Sequence, residues 1–339
     1  MSTKTKSKSS HTIKKIGLVD IKTDAGIIRK IDIAYQTWGR LNEKRDNVIW
    51  INHGLTADTN AKEWWPNMIG PGKAFNTDLY YIICPNIPGS CYGSSEPHEI
   101  LLKNNNKNVQ LGPKEIAQVF HQIAKKLNFK QIYGLSGASI GGFIALEWAI
   151  LAKEYIRNLF LVATSYYASP WNKALNETQR MALDNNNETE GLAAARAIAL
   201  LSYRTPQKYN QTQQGFNGDK SSKAASYQRY QGLKLTQRFS IESYRFLLNF
   251  FDLHNAAQDE KNIWDVMSEI TANTLVISIT SDLLFPTEEQ LYLHQLIDRS
   301  KLVTIRSDYG HDAFLVETKE ISKAIQSFFI QSKTSKHDK

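Results

Sequence analysis

The chain has 339 residues, of which 22% are charged, a formal net charge of +8 and two cysteines. Apart from five lysines within Met1–Lys15 the positive charge is dispersed, with no clustered basic face, interleaved aromatics or nucleic-acid module, so nucleic acid is not an expected partner and small molecules are. Cys84 and Cys91 are too few for a disulfide framework or a zinc site, and no stretch has the apolar length of a signal-peptide core or a membrane span, so a cytoplasmic protein with one core and a cap is expected, with no membrane partner.

In chain order, residues 1–12 read as a disordered basic tail. From Thr12 to Ala34, apolar and polar residues alternate around the turn signal Thr23-Asp24-Ala25-Gly26, which predicts a hairpin ahead of the core. Asn47–His53 is a near-continuous apolar run of strand length, as in a strand buried on both faces. Asp78–Pro85 is another and leads into a glycine-containing loop, Asn86–Ser95. Pro113 opens an amphipathic helix to Leu127, with Ile116, Val119, Phe120 and Ile123 on one face.

Gln131–Ile150 then reads as strand, tight turn and helix, with the pentapeptide Gly137-Ala138-Ser139-Ile140-Gly141 at the corner. This is G-x-S-x-G in the context that makes it informative: the glycines leave room around a serine on a strained turn. Ser139 is the candidate nucleophile. The Ile140 N–H, at a helix N-terminus, is a candidate oxyanion donor. Asn158–Ala163 supplies the next strand.

Residues 165–270 change character. Aromatics, Gln and Asn dominate, with helical stretches at Trp171–Met181, Gly191–Leu201 and Ser240–Phe250, and the polar segment Tyr209–Ser222 reads as a loop. Alternation resumes with a strand at Asn273–Ile279, a helix begun by the capping-box pattern Thr287-Glu288-Glu289-Gln290, a strand at Lys301–Ile305, and a last helix carrying Ile321, Ile325, Phe328 and Phe329. The expected architecture is α/β: an α/β-hydrolase fold, mostly parallel sheet with helices on both faces and an inserted helical lid. Its core spans 13–164 and 271–332, its lid 165–270, and 333–339 form a frayed end.

A serine nucleophile needs a base, and the base an orienting acid, arriving in this fold in the order Ser, Asp/Glu, His beyond strand ends. Asp282 follows the Asn273–Ile279 strand, and His311 follows Lys301–Ile305. Either alone reads as an ordinary loop residue; together, in that order, they read as a triad with Ser139. The loop after an early strand should carry the second oxyanion donor, which assigns the Leu55 N–H. His53 reads as a structural histidine at a strand end. No dinucleotide fingerprint, phosphate loop or metal-ligand spacing occurs, so no bound cofactor or metal is expected.

Several segments together resemble the homoserine O-acetyltransferase family. They include Ile33–Gly39, Asn52–Thr56, Trp64–Ala74, Cys84–Asn86, Ser90–Gly93, Gly137–Gly142, Gln179-Arg180, Ser202–Arg204, Tyr230–Gly232, Arg238-Phe239 and Gly310–Leu315, in family order over nearly the whole chain. The resemblance implies a ping-pong reaction of methionine biosynthesis in which Ser139 takes acetyl from acetyl-CoA, a substrate rather than a bound cofactor, and passes it to the hydroxyl of L-homoserine. It further implies that Arg204 pairs with the acceptor's carboxylate and Asp312 with its ammonium, and that the protein is a homodimer built through the lid. Gly54 stands where the family usually has alanine, Ala138 and Ile140 flank Ser139 where glycine and methionine are usual, and Ala57-Asp58 and Pro88-Gly89-Ser90-Cys91 also depart from the family pattern. These positions surround the acyl pocket, so the alternatives are a succinyl donor, a serine acceptor, or an esterase on the same scaffold.

Overall fold

A computed structural model of the chain describes residues 13–17, 21–23, 26–28, 31–100, 103–104, 107–108, 111–184, 187–257 and 262–334. The basic tail and the residues after Thr334 lie outside these. Eight strands form one sheet: β1 (Lys14–Gly17), β2 (Asp32–Trp38), β3 (Val48–Asn52), β4 (Tyr81–Pro85), β5 (Ile132–Ala138), β6 (Asn158–Val162), β7 (Asn273–Ile279) and β8 (Ser300–Ile305). Their spatial order is β1-β2-β4-β3-β5-β6-β7-β8, with β2 antiparallel to both its neighbours and every other pair parallel. This is the expected α/β-hydrolase sheet.

The amino-terminal hairpin forms around the expected turn. Residues Ile21–Thr23 and Gly26–Ile28 pair antiparallel across it, with Asp24 and Ala25 outside the described residues. Their flanks, β1 and β2, pair with each other and belong to the main sheet. The two pairs share one antiparallel register, Gly17 opposite Asp32 and Ile21 opposite Ile28, as a single hairpin requires.

Both sheet faces are covered, which is why β3 and β6 are buried at every residue and read as unbroken apolar runs. On one face lie α1 (Pro113–Lys126) and α2 (Ile140–Leu151). Trp50 of β3 meets Phe120 at 5.5 Å and Trp148 at 4.9 Å between ring centroids. Fully burying side chains of this kind contributes roughly 1.5–3 kcal/mol each. The other face is closed by α10 (Thr318–Thr334), whose Phe328 and Phe329 pack edge-on against Phe160 of β6.

Between β6 and β7 the described residues form six helices: α3 (Pro170–Asp184), α4 (Glu188–Tyr203), α5 (Pro206–Thr212), α6 (Lys223–Thr236), α7 (Ile241–Asp252) and α8 (Ile263–Ser268). The expected loop from Tyr209 is helical as far as Thr212. Thr205 accepts the Lys208 N–H as N-cap and Pro206 opens the helix, a start signal that outweighs the polar composition. The capping box at Thr287 is absent. Pro286 takes the N-cap position of α9 (Thr287–Leu296), so Thr287 is already helical and its hydroxyl donates to the Ile279 carbonyl.

Candidate active site

Ser139 links β5 to α2 with φ 55° and ψ −130°, a left-handed conformation that side-chain-bearing residues rarely adopt. Neighbours hold it there: its N–H donates to the Val162 carbonyl at 3.1 Å, and its carbonyl accepts the Thr164 hydroxyl and the Gly142 N–H, each at 2.9 Å. A Cβ at Gly137 would lie 2.0 Å from the Gly141 carbonyl oxygen, and one at Gly141 would lie 2.4 Å from the Asn52 carbonyl oxygen. The motif's glycines are therefore required by backbone meeting backbone as strand folds into helix.

The loops after β7 and β8 converge on this corner. Asp282 Oδ1 accepts the backbone N–H groups of Leu284 and Phe285, both at 2.9 Å, which fixes the carboxylate. Its Oδ2 lies 2.8 Å from His311 Nδ1, and His311 Nε2 lies 2.9 Å from Ser139 Oγ. An ionised carboxylate can only accept, so the ring proton sits on Nδ1 and Nε2 presents its lone pair to the serine hydroxyl. Ser281 Oγ accepts the Gly310 N–H at 3.0 Å and ties the two loops together. Ser139, Asp282 and His311 are each at most 5% exposed, and the rings of Phe314, Phe285 and Tyr203 stand 5.2, 5.4 and 5.6 Å from the imidazole. The arrangement can take the serine proton onto His311 and hold the resulting imidazolium against Asp282.

The loop after β3 faces Ser139 from the other side. Residues Gly54–Ala57 form a turn closed by Ala57 N–H to Gly54 carbonyl at 3.1 Å. Neither the Leu55 N–H nor the Ile140 N–H finds an acceptor among the described residues. His53 is fully buried: Nδ1 donates to the Gly54 carbonyl at 2.8 Å, and Nε2 accepts the Ile87 N–H at 3.0 Å. Burial lowers its pKa, outweighing the Gly54 carbonyl and Asp58, which favour the proton, so it stays neutral and pins the loop. The histidine read as structural thus has two backbone partners. At Gly54 a Cβ would meet only the Phe314 ring at 3.6 Å, an ordinary contact, so the departure from alanine leaves the loop's course unchanged.

A cavity of about 580 Å³ opens above Ser139, between the strand ends and the lid. Asp312, next to His311, lies in its wall. Arg204 does not; it sits on Asp312, Nε to Oδ2 2.9 Å, with its guanidinium 5.2 Å from the Tyr227 ring centroid. Sequence reasoning gave no role to other lining residues: Trp64, Tyr92, Arg196, Tyr203, Lys234 and Arg238. Trp64, Tyr92, Tyr203 and Arg238 fall within segments that carry the family resemblance, whereas Arg196 and Lys234 lie on lid helices with no motif to mark them. Arg238 Nη1 donates to the Thr56 carbonyl at 2.7 Å and to the Tyr92 hydroxyl at 2.5 Å, joining the lid to the loop that carries Leu55.

A family described as having the alpha/beta hydrolase fold matches residues 47–318. A homoserine O-acetyltransferase of Cyclobacterium marinum is 36% identical over 321 residues, covering 89% of this chain and 90% of that protein. One from Chlorobium chlorochromatii is 34% identical over 320 residues, covering 88% and 89%. Among solved structures, homoserine O-acetyltransferase from Bacillus anthracis aligns with a TM-score of 0.83 at 19% identity over 94% of this chain and 97% of that one. Esterase E22 aligns with a TM-score of 0.84 at 20% identity, covering 94% and 99%. At such identities the two structures speak to the fold. No helix among the described residues is long and apolar enough to cross a membrane.

Proposed function

The chain belongs to the homoserine O-acetyltransferase family of α/β-hydrolase-fold enzymes, and from that premise we propose that it moves an acetyl group from acetyl-CoA to the hydroxyl of L-homoserine through an acyl-Ser139 intermediate. In the first half-reaction Ser139 Oγ attacks the thioester carbonyl while His311 Nε2 takes its proton. The tetrahedral oxyanion is stabilised by the Leu55 and Ile140 N–H groups, whose lack of an acceptor among the described residues suits that role. His311 then returns the proton to the departing thiolate. In the second half-reaction it takes the proton of the acceptor hydroxyl, which attacks the acyl carbonyl, and Ser139 leaves with the proton. Asp282 keeps the imidazole in the required tautomer throughout.

The observation that carries this proposal is the adjacency of His311 and Asp312 in one 3-10 turn, with Arg204 against Asp312. A base and a carboxylate–guanidinium pair side by side match an acceptor bearing a hydroxyl, an ammonium and a carboxylate; water needs only the base. Asp312 is assigned to the ammonium and Arg204 to the carboxylate. No bound cofactor is needed. A cytoplasmic homodimer is proposed with it, joined through the lid, where Leu201, Tyr230 and Leu233 are each more than half exposed.

The test is release of free CoA from acetyl-CoA with and without L-homoserine, repeated with L-serine and with succinyl-CoA. Homoserine-dependent release upholds the proposal. A preference for serine or succinyl-CoA would revise the substrate, and release independent of any amino acid would make the protein an esterase-like hydrolase.

A further inference from the structure

The lid side of the cavity carries more positive charge than an amino-acid acceptor uses. Arg196 of α4, Lys234 of α6 and Arg238 just beyond α6 all line it. Lys234 and Arg238 are one helical turn apart, and Arg196 precedes Tyr203, another lining residue, by two turns, so both segments aim these side chains at the same opening. Lys234 and Arg238 are exposed and Ser139 is buried, which places the cations at the mouth and the nucleophile at the floor.

Among the described residues none of the three has a carboxylate partner. Arg196 stands 5.4 Å over the Tyr203 ring and Lys234 lies 6.0 Å from the Tyr230 ring. Arg238 uses Nη1 for Thr56 and Tyr92, which leaves the hydrogens of Nε and Nη2. The acids that line the cavity have other partners: Asp58 and Glu63 accept from Asn60, through its backbone N–H and its side-chain amide respectively, and Asp312 pairs with Arg204. Three cations on the lid side of one cavity, none of them ion-paired among the described residues, repel one another, and an anion bound between them relieves that repulsion.

We infer that Arg196, Lys234 and Arg238 form a phosphate-binding rim that holds the diphosphate and 3′-phosphate of a CoA thioester while its uncharged arm runs down to Ser139. This rests on the acyl-CoA reading above and deepens it: the rim makes the enzyme selective for CoA thioesters over short thioesters with the same acyl group.

The experiment compares acetyl-CoA with S-acetyl-N-acetylcysteamine, which lacks every phosphate, in the wild type, in Arg196→Gln/Lys234→Gln, and in the charge-conserving Arg196→Lys/Lys234→Arg. The neutral pair should lower the ratio of kcat/KM for the two donors by about tenfold or more, and the charge-conserving pair should keep most of it. Equal losses on both donors, or an unchanged ratio, would overturn the rim. Binding of 3′-phosphoadenosine 5′-phosphate, titrated calorimetrically, reads the rim without turnover: wild-type binding that is lost in the neutral pair supports it, and no wild-type binding contradicts it. If neither thioester is consumed with any acceptor, the acyltransferase proposal fails, and this titration still decides the rim.

Discussion

Arg204 and Asp312 form an ion pair, Nε to Oδ2 2.9 Å, at the edge of the cavity beside His311. The two side chains expected to take opposite ends of the acceptor satisfy each other, and a zwitterion entering there can bind while the pair stays intact, each of its charges adding to the opposite one. Charged hydrogen bonds of this kind contribute about 1.5–3 kcal/mol, so Arg204→Ala and Asp312→Ala should each raise the acceptor KM roughly tenfold to a hundredfold. The acylation rate, measured with acetyl-CoA alone, should change little. An unchanged acceptor KM in Arg204→Ala would remove that residue from the site.

Arg238 joins the lid to the oxyanion loop through the Thr56 carbonyl. Arg238→Met should therefore slow acylation even from a thioester without phosphates, by about tenfold, because the turn that aims the Leu55 N–H is released. Arg238→Lys, which can reach the Thr56 carbonyl alone, should recover part of the loss. Rapid-quench measurement of the first turnover checks this; equal rates in all three proteins would separate the lid contact from the chemistry.

Gly137 has no room for a methyl group, because the obstacle is the Gly141 backbone 2.0 Å away. Gly137→Ala should destabilise the fold by at least about 1–3 kcal/mol, the range for forced overpacking. Denaturant melts against the wild type measure it, and a variant of wild-type stability would mean that the elbow can open without cost.

His53 gives a pH signature. Its folded-state pKa is held down by burial, so below about pH 6.5 the unfolded chain binds a proton that the folded one refuses. The stabilising effect of the neutral ring is full above that pH and declines as the pH falls. The stability difference between wild type and His53→Gln should thus be larger at about pH 7.5 than at about pH 5.5. A gap that stays constant or widens on acidification would show that His53 accepts a proton in place.

Much of the fold and of the proposed triad was legible because the signals are local. β3 and β6 are continuous apolar runs, and Ser139 lies in a motif whose flanking glycines are dictated by contacts within one turn. Asp282 and His311 needed only strand ends and chain order. The hairpin about Thr23–Gly26 was legible, but that its outer strands β1 and β2 join the main sheet was not, since alternation carries no record of which sheet a strand enters. Helix α5 was hidden because Gln, Lys and Asn dominate it, although Thr205-Pro206 marked its start. Arg196 and Lys234 could not have been found: their convergence depends on how α4 and α6 pack, which no spacing within either helix records. The Arg204–Asp312 pair likewise joins residues 108 apart in sequence.

The most direct measurement is intact-protein mass spectrometry after mixing with acetyl-CoA alone, followed by addition of L-homoserine. One acetyl group should appear on the protein, map to Ser139, be absent in Ser139→Ala, and discharge to O-acetylhomoserine when the acceptor is added. Acetyl transfer that proceeds in Ser139→Ala, or only when both substrates are present together with no acylated protein ever formed, would contradict the acyl-Ser139 mechanism.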